Sequence, residues 1–267
     1  MDWSGALPLL LIGLVLLVLL IAALELGYRA GPWLRRRFDR PEPEADAREF
    51  LLSAVLGLLA LLLGFTFSLS LQRHEARRML VVTEANALGT AWHRLDLFDE
   101  PARGRMAALL RAYVDSRLAW SEGDTDLDPK AAAQFVRSTA LENQLWAEAV
   151  AAERASAQPV VAAKLLDPLN EAFDIAASRK AARAAHVPEG ILNLLVLYML
   201  IATFMVGHVL SGYGRRQPIP TLTTIVLLTL ALTAILDLDR PRSNGITVSQ
   251  QPMLDLRTAM GSPSLPQ

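Results

Sequence analysis

The sequence predicts an all-α protein that crosses a membrane four times, with an antiparallel helical domain inserted between the second and third spans. Two observations lead to this fold class. Four Leu-rich apolar runs of about 18 residues or more are each long enough to cross a bilayer as a helix. The polar segment between the second and third runs is Ala-rich, and its apolar residues recur every three or four positions, as in helices.

The first run covers residues 7–26 and is predicted to be a retained membrane helix. A cleaved signal peptide would need a basic region before its apolar core, whereas here the arginines follow the run. Residues 27–49 are predicted to be a loop, because three prolines interrupt them. Residues 1–71 therefore contain the first two membrane helices and an arginine-rich loop.

The second run covers residues 50–71 and passes into the charged segment 72–78 without a helix breaker. This pattern predicts one long helix whose first half lies in the membrane and whose second half leaves it. Residues 72–187 are predicted to form a membrane-proximal bundle of four helices. Asp128-Pro129 is a typical helix start, and Pro168 is predicted either to kink the last helix or to begin a new one.

Residues 188–238 contain the third and fourth membrane helices, separated by a short turn with two arginines. Residues 239–267 are rich in proline and glycine and are predicted to be an extended or disordered tail.

The composition argues against several classes of function. The net charge of −1 offers no basic surface for nucleic acid, and the chain has no cysteine for disulfides, thiolate catalysis or metal binding. Four scattered histidines form no pair at ligand spacing, and no phosphate-binding loop or nucleophile motif occurs. The sequence therefore predicts no enzyme, no cofactor and no metal site.

The arginines near the spans bear on orientation in the membrane. Short loops rich in Lys and Arg tend to face the cytoplasm. Residues 27–49 hold six arginines and the loop after the third span holds two, whereas none precedes the first span. This count favours cytoplasmic short loops and an external helical domain, although Arg73, Arg77 and Arg78 favour the opposite orientation.

The second span carries the candidate pore residues. Gly57 and Gly64 lie seven positions apart and share one helix face. Small residues let helices pack closely in lipid, so one interpretation of this face is a packing surface. The face also includes Leu61 and Phe65, and a hydrophobic constriction that gates a pore needs such side chains. The sequence leaves both interpretations open.

Polar residues of the helical segment form a second candidate set. They are Arg73, Glu84, Asn86, Asn170, Asp174 and Arg179. The first three lie on the helix that leaves the membrane, and the last three lie on a later helix. Buried polar groups that join two helices are one interpretation. The other is an ion vestibule, because a helix continuous with a pore helix would line the mouth of the pore.

Several motifs resemble the bestrophin-like domain family of uncharacterised bacterial membrane proteins. They include Glu84-Ala85-Asn86-Ala87-Leu88-Gly89, Leu169-Asn170-Glu171-Ala172-Phe173-Asp174, and Asp239-Arg240-Pro241 after the last span. These motifs occur in the family's order. The resemblance implies a protein of the bacterial inner membrane and brings no established activity.

A shorter stretch resembles the bestrophins, which are oligomeric anion channels. In that family a Leu-Gly-Phe of the second span supplies the phenylalanine of the pore constriction, and an arginine follows eight residues later. Leu63-Gly64-Phe65 and Arg73 repeat this spacing. The tryptophan pair after the arginine is absent, and Leu61 and Gly57 stand where bestrophins have bulky residues. The resemblance implies a cytoplasmic helical domain, against the arginine count.

Two functions remain as alternatives. The first is a homo-oligomeric channel for inorganic anions, with the second span lining the pore. The second is a non-conducting membrane protein whose helical domain binds a partner or stabilises an assembly. The lipid bilayer is an expected partner in both cases, and nucleic acid in neither.

Overall fold

The computed structural model of the chain describes residues 9–38, 45–123, 128–213, 216–240 and 245–261. These residues contain nine α-helices, two 3₁₀ turns (Leu95–Leu97 and Ala163–Leu165) and no β-strand. The helices are α1 (Leu9–Phe38), α2 (Ala45–Arg94), α3 (Ala102–Ser121), α4 (Pro129–Ala155), α5 (Pro159–Ala162), α6 (Leu166–Ala184), α7 (Glu189–Gly212), α8 (Pro218–Asp239) and α9 (Gln251–Gly261). The predicted all-α class is confirmed.

Four helical stretches among the described residues are long and apolar enough to cross a membrane. They are Leu9–Leu34, Glu49–Leu97, Pro159–Gly212 and Pro218–Asp239. These stretches include α1, α2, α7 and α8, so the predicted number of spans is confirmed. A helical segment lies between the second and third spans along the chain, as the sequence predicts.

The chain forms two compact units, and the first comprises Met1–Gln72 and His186–Ile246. In this unit α1 packs along α7 and α8. Its core contains Leu20, Leu59, Met199 and Leu232, which are almost completely buried.

Two glycines bring the backbones of α1 and α7 into direct contact. A Cβ atom at Gly27 would lie 2.0 Å from the carbonyl oxygen of Phe204, and one at Gly207 would lie 2.1 Å from that of Leu24. No other residue type fits at such distances, because every other side chain begins with a Cβ atom. The crossing therefore depends on glycine in both helices.

The predicted loop at 27–49 is wrong over most of its length. The first helix continues to Phe38 with Pro32 inside it, and α2 already begins at Ala45. Proline inside a helix removes one hydrogen bond and costs about 3 kcal/mol. Five residues before this proline, Gly27 lies directly against the backbone of α7, so α1 is held in place by tertiary packing in this region. Residues 39–44 lie outside the described part of the chain.

The second unit comprises Arg73–Ala185 and Thr247–Gln267. Its core draws on α2, α3, α4 and α6, and includes the fully buried Leu88, Met106, Leu110, Leu145 and Leu169. The first turn of α4 is capped by Asp128, whose carboxylate accepts a hydrogen bond of 2.9 Å from the amide of Lys130. Pro168 lies in the first turn of α6, so a new helix begins there rather than a kinked one.

The prediction of an extended tail is wrong for residues 251–261, which form α9. Met253 and Met260 lie seven positions apart, share one face and are fully buried. Arg111 of α3 donates two hydrogen bonds, of 2.9 and 3.1 Å, to the carbonyl oxygen of Met260. Pro252 is compatible with this helix because it lies in the first turn, where the backbone amide has no helical partner to lose.

We expect Gly207→Ala to destabilise the protein by about 1–3 kcal/mol or more, because the added methyl group has no room against the α1 backbone. Gly190→Ala is the matched control on the same helix, since a Cβ atom there meets nothing within 4 Å. Thermal unfolding in mild detergent measures both. Equal stability of the two variants would contradict the backbone contact.

Candidate functional site

The four predicted pore residues lie on one side of α2. Gly57, Leu61, Gly64 and Phe65 follow the helical repeat, and all four are exposed in the single chain. Leu61 is 52% exposed and Phe65 is 66% exposed. The opposite side of the helix is covered, with Leu59 and Thr66 buried. The chain therefore leaves this face of α2 without a covering helix of its own among the described residues.

The two glycines of α2 differ from those of the α1–α7 crossing. Among the described residues, a Cβ atom at either Gly57 or Gly64 would meet nothing within 4 Å. Packing within this described part therefore gives no reason for glycine at these positions. If packing requires them, the packing partner lies outside the described part of the chain.

The same face becomes polar toward the end of the first unit. Ser68 and Gln72 continue the repeat of Leu61 and Phe65, and both are exposed. The amide of Gln72 donates a hydrogen bond of 3.3 Å to the Ser68 hydroxyl. An apolar segment with two glycines is thus followed by side chains that can bind water or an ion.

A second site lies inside the second unit, around the carboxylate of Glu84. Arg117 of α3 donates to both oxygens of Glu84, with distances of 2.7 and 3.4 Å. Arg179 of α6 donates to the same carboxylate and also to the side-chain oxygen of Gln250, at 2.9 Å. Glu84 and Arg117 are fully buried and Arg179 is nearly so. The group joins three helices and the segment before α9.

The indole ring of Trp120 lies among three guanidinium groups. Its centroid is 4.4 Å from Arg117, 5.0 Å from Arg183 and 5.5 Å from Arg179. The electron-rich ring face attracts these cations. Nη1 of Arg117 has no hydrogen-bond acceptor within the described chain, so the ring supplies the remaining contact of that guanidinium. Arg183 also donates to the backbone carbonyls of Trp120 and Gly123.

Burial and charge oppose each other in this group. Burial works to lower the pKa of Arg117, but the nearby Glu84 carboxylate outweighs it, so the pKa lies above its ordinary value. Burial raises the pKa of the Tyr113 hydroxyl. Tyr113 donates a hydrogen bond of 3.0 Å to Glu142, whose carboxyl pKa is raised by burial and only partly lowered by this bond.

The structure separates the other predicted polar residues from this group. Asn86 is exposed, on a different side of α2 from the buried Glu84. Asn170 and Asp174 are exposed, hydrogen-bonded to each other at 3.1 Å, and line a shallow groove of about 500 Å³ on α6. Arg73 is half-buried, and its Nε has no hydrogen-bond partner among the described residues.

The predicted motif after the last span begins at a buried position. Asp239 accepts a hydrogen bond of 2.9 Å from the amide of Val187, and His186 lies 3.4 Å from its carboxylate. Its role in the first unit is therefore to fix the chain just before α7. Arg240 directly follows α8, and Pro241 lies outside the described residues.

Sequence reasoning identified Glu84 and Arg179 but missed Arg117, Trp120 and Gln250. Arg117 lies 33 positions after Glu84 and stands within an apolar stripe of α3, next to Leu118. An arginine inside such a stripe is a signal of a buried charge that needs a partner. Among the described residues, no group of three or more His, Asp or Glu side chains could hold a metal ion.

The fold and these contacts define an all-α membrane protein with four candidate spans and a separate helical unit. The chain belongs to the bestrophin-like domain family, whose model matches residues 12–253. The resemblance noted from the sequence motifs is thereby confirmed. A comparison with curated proteins found no match.

Solved structures share the fold. The crystal structure of a bacterial bestrophin homologue from Klebsiella pneumoniae matches with a TM-score of 0.66 at 16% identity, over 92% of this chain and 98% of that chain. A single-residue mutant of that homologue matches with a TM-score of 0.68 at 15% identity, over 92% and 96% of the two chains. At such low identity the likeness establishes the fold alone.

We expect Glu84→Gln to destabilise the second unit by about 3–5 kcal/mol, because it leaves two buried guanidinium groups without their counter-charge. Glu75→Gln is the matched control on α2, since its ion pair with Arg78 is exposed and should contribute little. Thermal unfolding in mild detergent measures both variants. A small loss for Glu84→Gln would show that the carboxylate is not needed to balance the arginines.

We expect Glu142→Gln to gain stability relative to the wild type as the pH rises from acidic to neutral values. The folded-state pKa of Glu142 is raised, so the wild type loses stability as pH rises through that pKa and the carboxyl ionises. The amide oxygen of glutamine can still accept the bond from Tyr113. Unfolding midpoints of both proteins across acidic and neutral pH measure the difference. A difference that does not change with pH would contradict the raised pKa.

Proposed function

We propose that the chain is the subunit of a homo-oligomeric anion channel in the bacterial inner membrane, with α2 lining the pore. The observation that carries this proposal is the uncovered face of α2, with its open glycines Gly57 and Gly64 and its large apolar side chains Leu61 and Phe65. Membership of the bestrophin-like family supports it, because the chain resembles bestrophins, which are oligomeric anion channels. The connections from α1 to α2 and from α7 to α8, with the arginines in and beside them, are proposed to face the cytoplasm.

Symmetric assembly would explain the shape of this face. One chain with four spans cannot easily enclose a pore, so conduction requires a closed ring of copies. In such a ring the α2 faces meet around the axis, and Gly57 and Gly64 let the helices approach it closely. Phe65 is then the widest side chain on the face and the natural constriction. Ser68 and Gln72 follow it as polar groups at the wider end.

The alternative function is a non-conducting membrane protein whose helical unit serves assembly or partner binding. The same α2 face would then pack against lipid or another protein, and its exposed residues would not meet around an axis. The two functions therefore differ in whether Phe65 residues of different copies come together.

The deciding experiment compares Phe65→Ala with Phe67→Ala in planar bilayers. Phe67 is a matched control because it is exposed on a different side of the same helix. We expect Phe65→Ala to raise conductance by widening the hydrophobic constriction, and Phe67→Ala to leave it unchanged. The reversal potential in a salt gradient should show anion selectivity.

The absence of cysteine from the natural chain allows an independent control. Phe65→Cys should form disulfides between copies under oxidation, and Phe67→Cys should not. A stable monomer in mild detergent, or equal cross-linking of the two variants, would contradict the channel and favour the non-conducting alternative.

A further inference from the structure

A cleft of about 240 Å³ lies in the first unit between α1, α7 and the start of α8. The apolar part of its lining, the apolar wall, includes Ile21, Leu24, Leu222 and Ile225. The charged part of its lining, the mouth, includes Glu25 and Arg216. The volume is below the range of roughly 300–1,000 Å³ that is typical of sites for drug-sized ligands, so the cleft can enclose only a slender group.

The close helix crossing borders the cleft. Gly207 lines the cleft and lies directly against the backbone of α1 at Leu24 and Tyr28. Neither helix can shift toward the other to fill the space, because their backbones are already in contact. The cleft is therefore a consequence of the close α1–α7 crossing and not a loosely packed gap.

The mouth of the cleft carries the guanidinium of Arg216 and the carboxylate of Glu25, and Arg29 lies beside Glu25, outside the cleft lining. Arg216 makes two hydrogen bonds of 3.1 Å to the oxygens of Glu25, and Arg29 donates to the same carboxylate at 2.7 Å. The Arg216 guanidinium also lies 4.6 Å from the centre of the Tyr28 ring. The group formed by Arg216, Arg29 and Glu25 thus carries one positive charge in excess. Arg216 is 61% exposed, so its remaining N–H groups can bind a ligand.

The position of these residues along the spans puts the mouth at a membrane surface. Glu25 and Arg29 lie in the second half of the apolar stretch Leu9–Leu34, and Arg216 lies two residues before Pro218, the first residue of α8. Charged groups at the ends of spans reach toward the headgroup level. The apolar wall at Ile21 and Ile225 then lies at the depth of the lipid chains.

We propose that this cleft binds one membrane phospholipid, with its phosphate at Arg216 and one acyl chain against the apolar wall. The excess positive charge of Arg216 and Arg29 over Glu25 matches an anionic phosphate, and the apolar wall matches a hydrocarbon chain. A free anion would not cover the apolar wall. An uncharged hydrocarbon chain would make no ion pair with Arg216. The surrounding bilayer supplies molecules that carry both groups. This site would bind lipid whether or not the protein conducts.

The test is native mass spectrometry of the full-length protein in mild detergent, titrated with phosphatidylglycerol. We expect one tightly held lipid per chain. Leu222→Trp should fill the cleft and remove this binding. Leu230→Trp is the matched control, because Leu230 is similarly exposed on α8 but does not line the cleft. Arg216→Gln should weaken binding about tenfold, as expected for the loss of a hydrogen bond to a charged group.

Two further ligands separate the contribution of the phosphate from that of the acyl chains. Diacylglycerol with the same chains lacks the phosphate and should bind more weakly than phosphatidylglycerol. Inorganic phosphate should neither bind tightly nor displace the lipid. Equal lipid binding by the Leu222→Trp and Leu230→Trp proteins would overturn the proposal, as would displacement by inorganic phosphate. Cross-linking of a Leu222→Cys variant to another copy of the chain would also overturn the proposal, because a neighbouring subunit would then occupy the cleft.

Discussion

The second unit depends on one buried carboxylate, that of Glu84, which holds Arg117 and Arg179. A buried ion pair adds little net stability, since removing charges from water costs nearly as much as their attraction returns. The larger effect of this buried ion pair is to restrict how α3 and α6 can pack against α2. Any register of α3 or α6 that moved an arginine away from Glu84 would leave buried charges uncompensated. Three helices are thereby fixed relative to one another by a single side chain, and the ring of Trp120 fills the space between the cations.

The first unit is organised by glycine, and the contrast between its glycines is informative. Gly27 and Gly207 are required by the chain itself, because the backbones of α1 and α7 touch there. Gly57 and Gly64 have no such neighbour among the residues that the structure describes. Glycine in the middle of a helix costs roughly 0.5–1 kcal/mol relative to alanine, so a helix gains nothing from it without a close neighbour. The two open positions on α2 would fit a close contact with a neighbouring molecule, as the proposed assembly requires.

The parts of the fold that follow from local pattern could be predicted, and those that depend on distant contacts could not. Apolar length determined the four spans, and Asp128-Pro129 correctly marked the start of α4. The continuation of α1 through Pro32 was missed, because α1 packs on α7, which is far away in sequence. The helix α9 was missed because its two buried methionines stand among prolines and glycines that favour irregular structure.

At the candidate site, Glu84 was recognised as polar and internal, but its pairing with Arg117 required the packing of α2 on α3. Whether Phe65 lines a pore depends on other copies, and no pattern within one chain determines that.

An uncharged constriction poses a physical problem for an anion channel, since no fixed positive charge on α2 between Gly57 and Gln72 would attract the ion. An aromatic ring offers a partial answer. Its face is electron-rich and its edge carries partial positive charge, so rings of Phe65 turned edge-on toward the axis would favour anions over cations. The polar pair Ser68 and Gln72 would then rehydrate the ion directly after the narrow point. The preference for anions that a single phenylalanine side chain provides is weak, and it grows with the number of Phe65 side chains arranged around the axis. It therefore requires the symmetric assembly that the open glycines of α2 would permit.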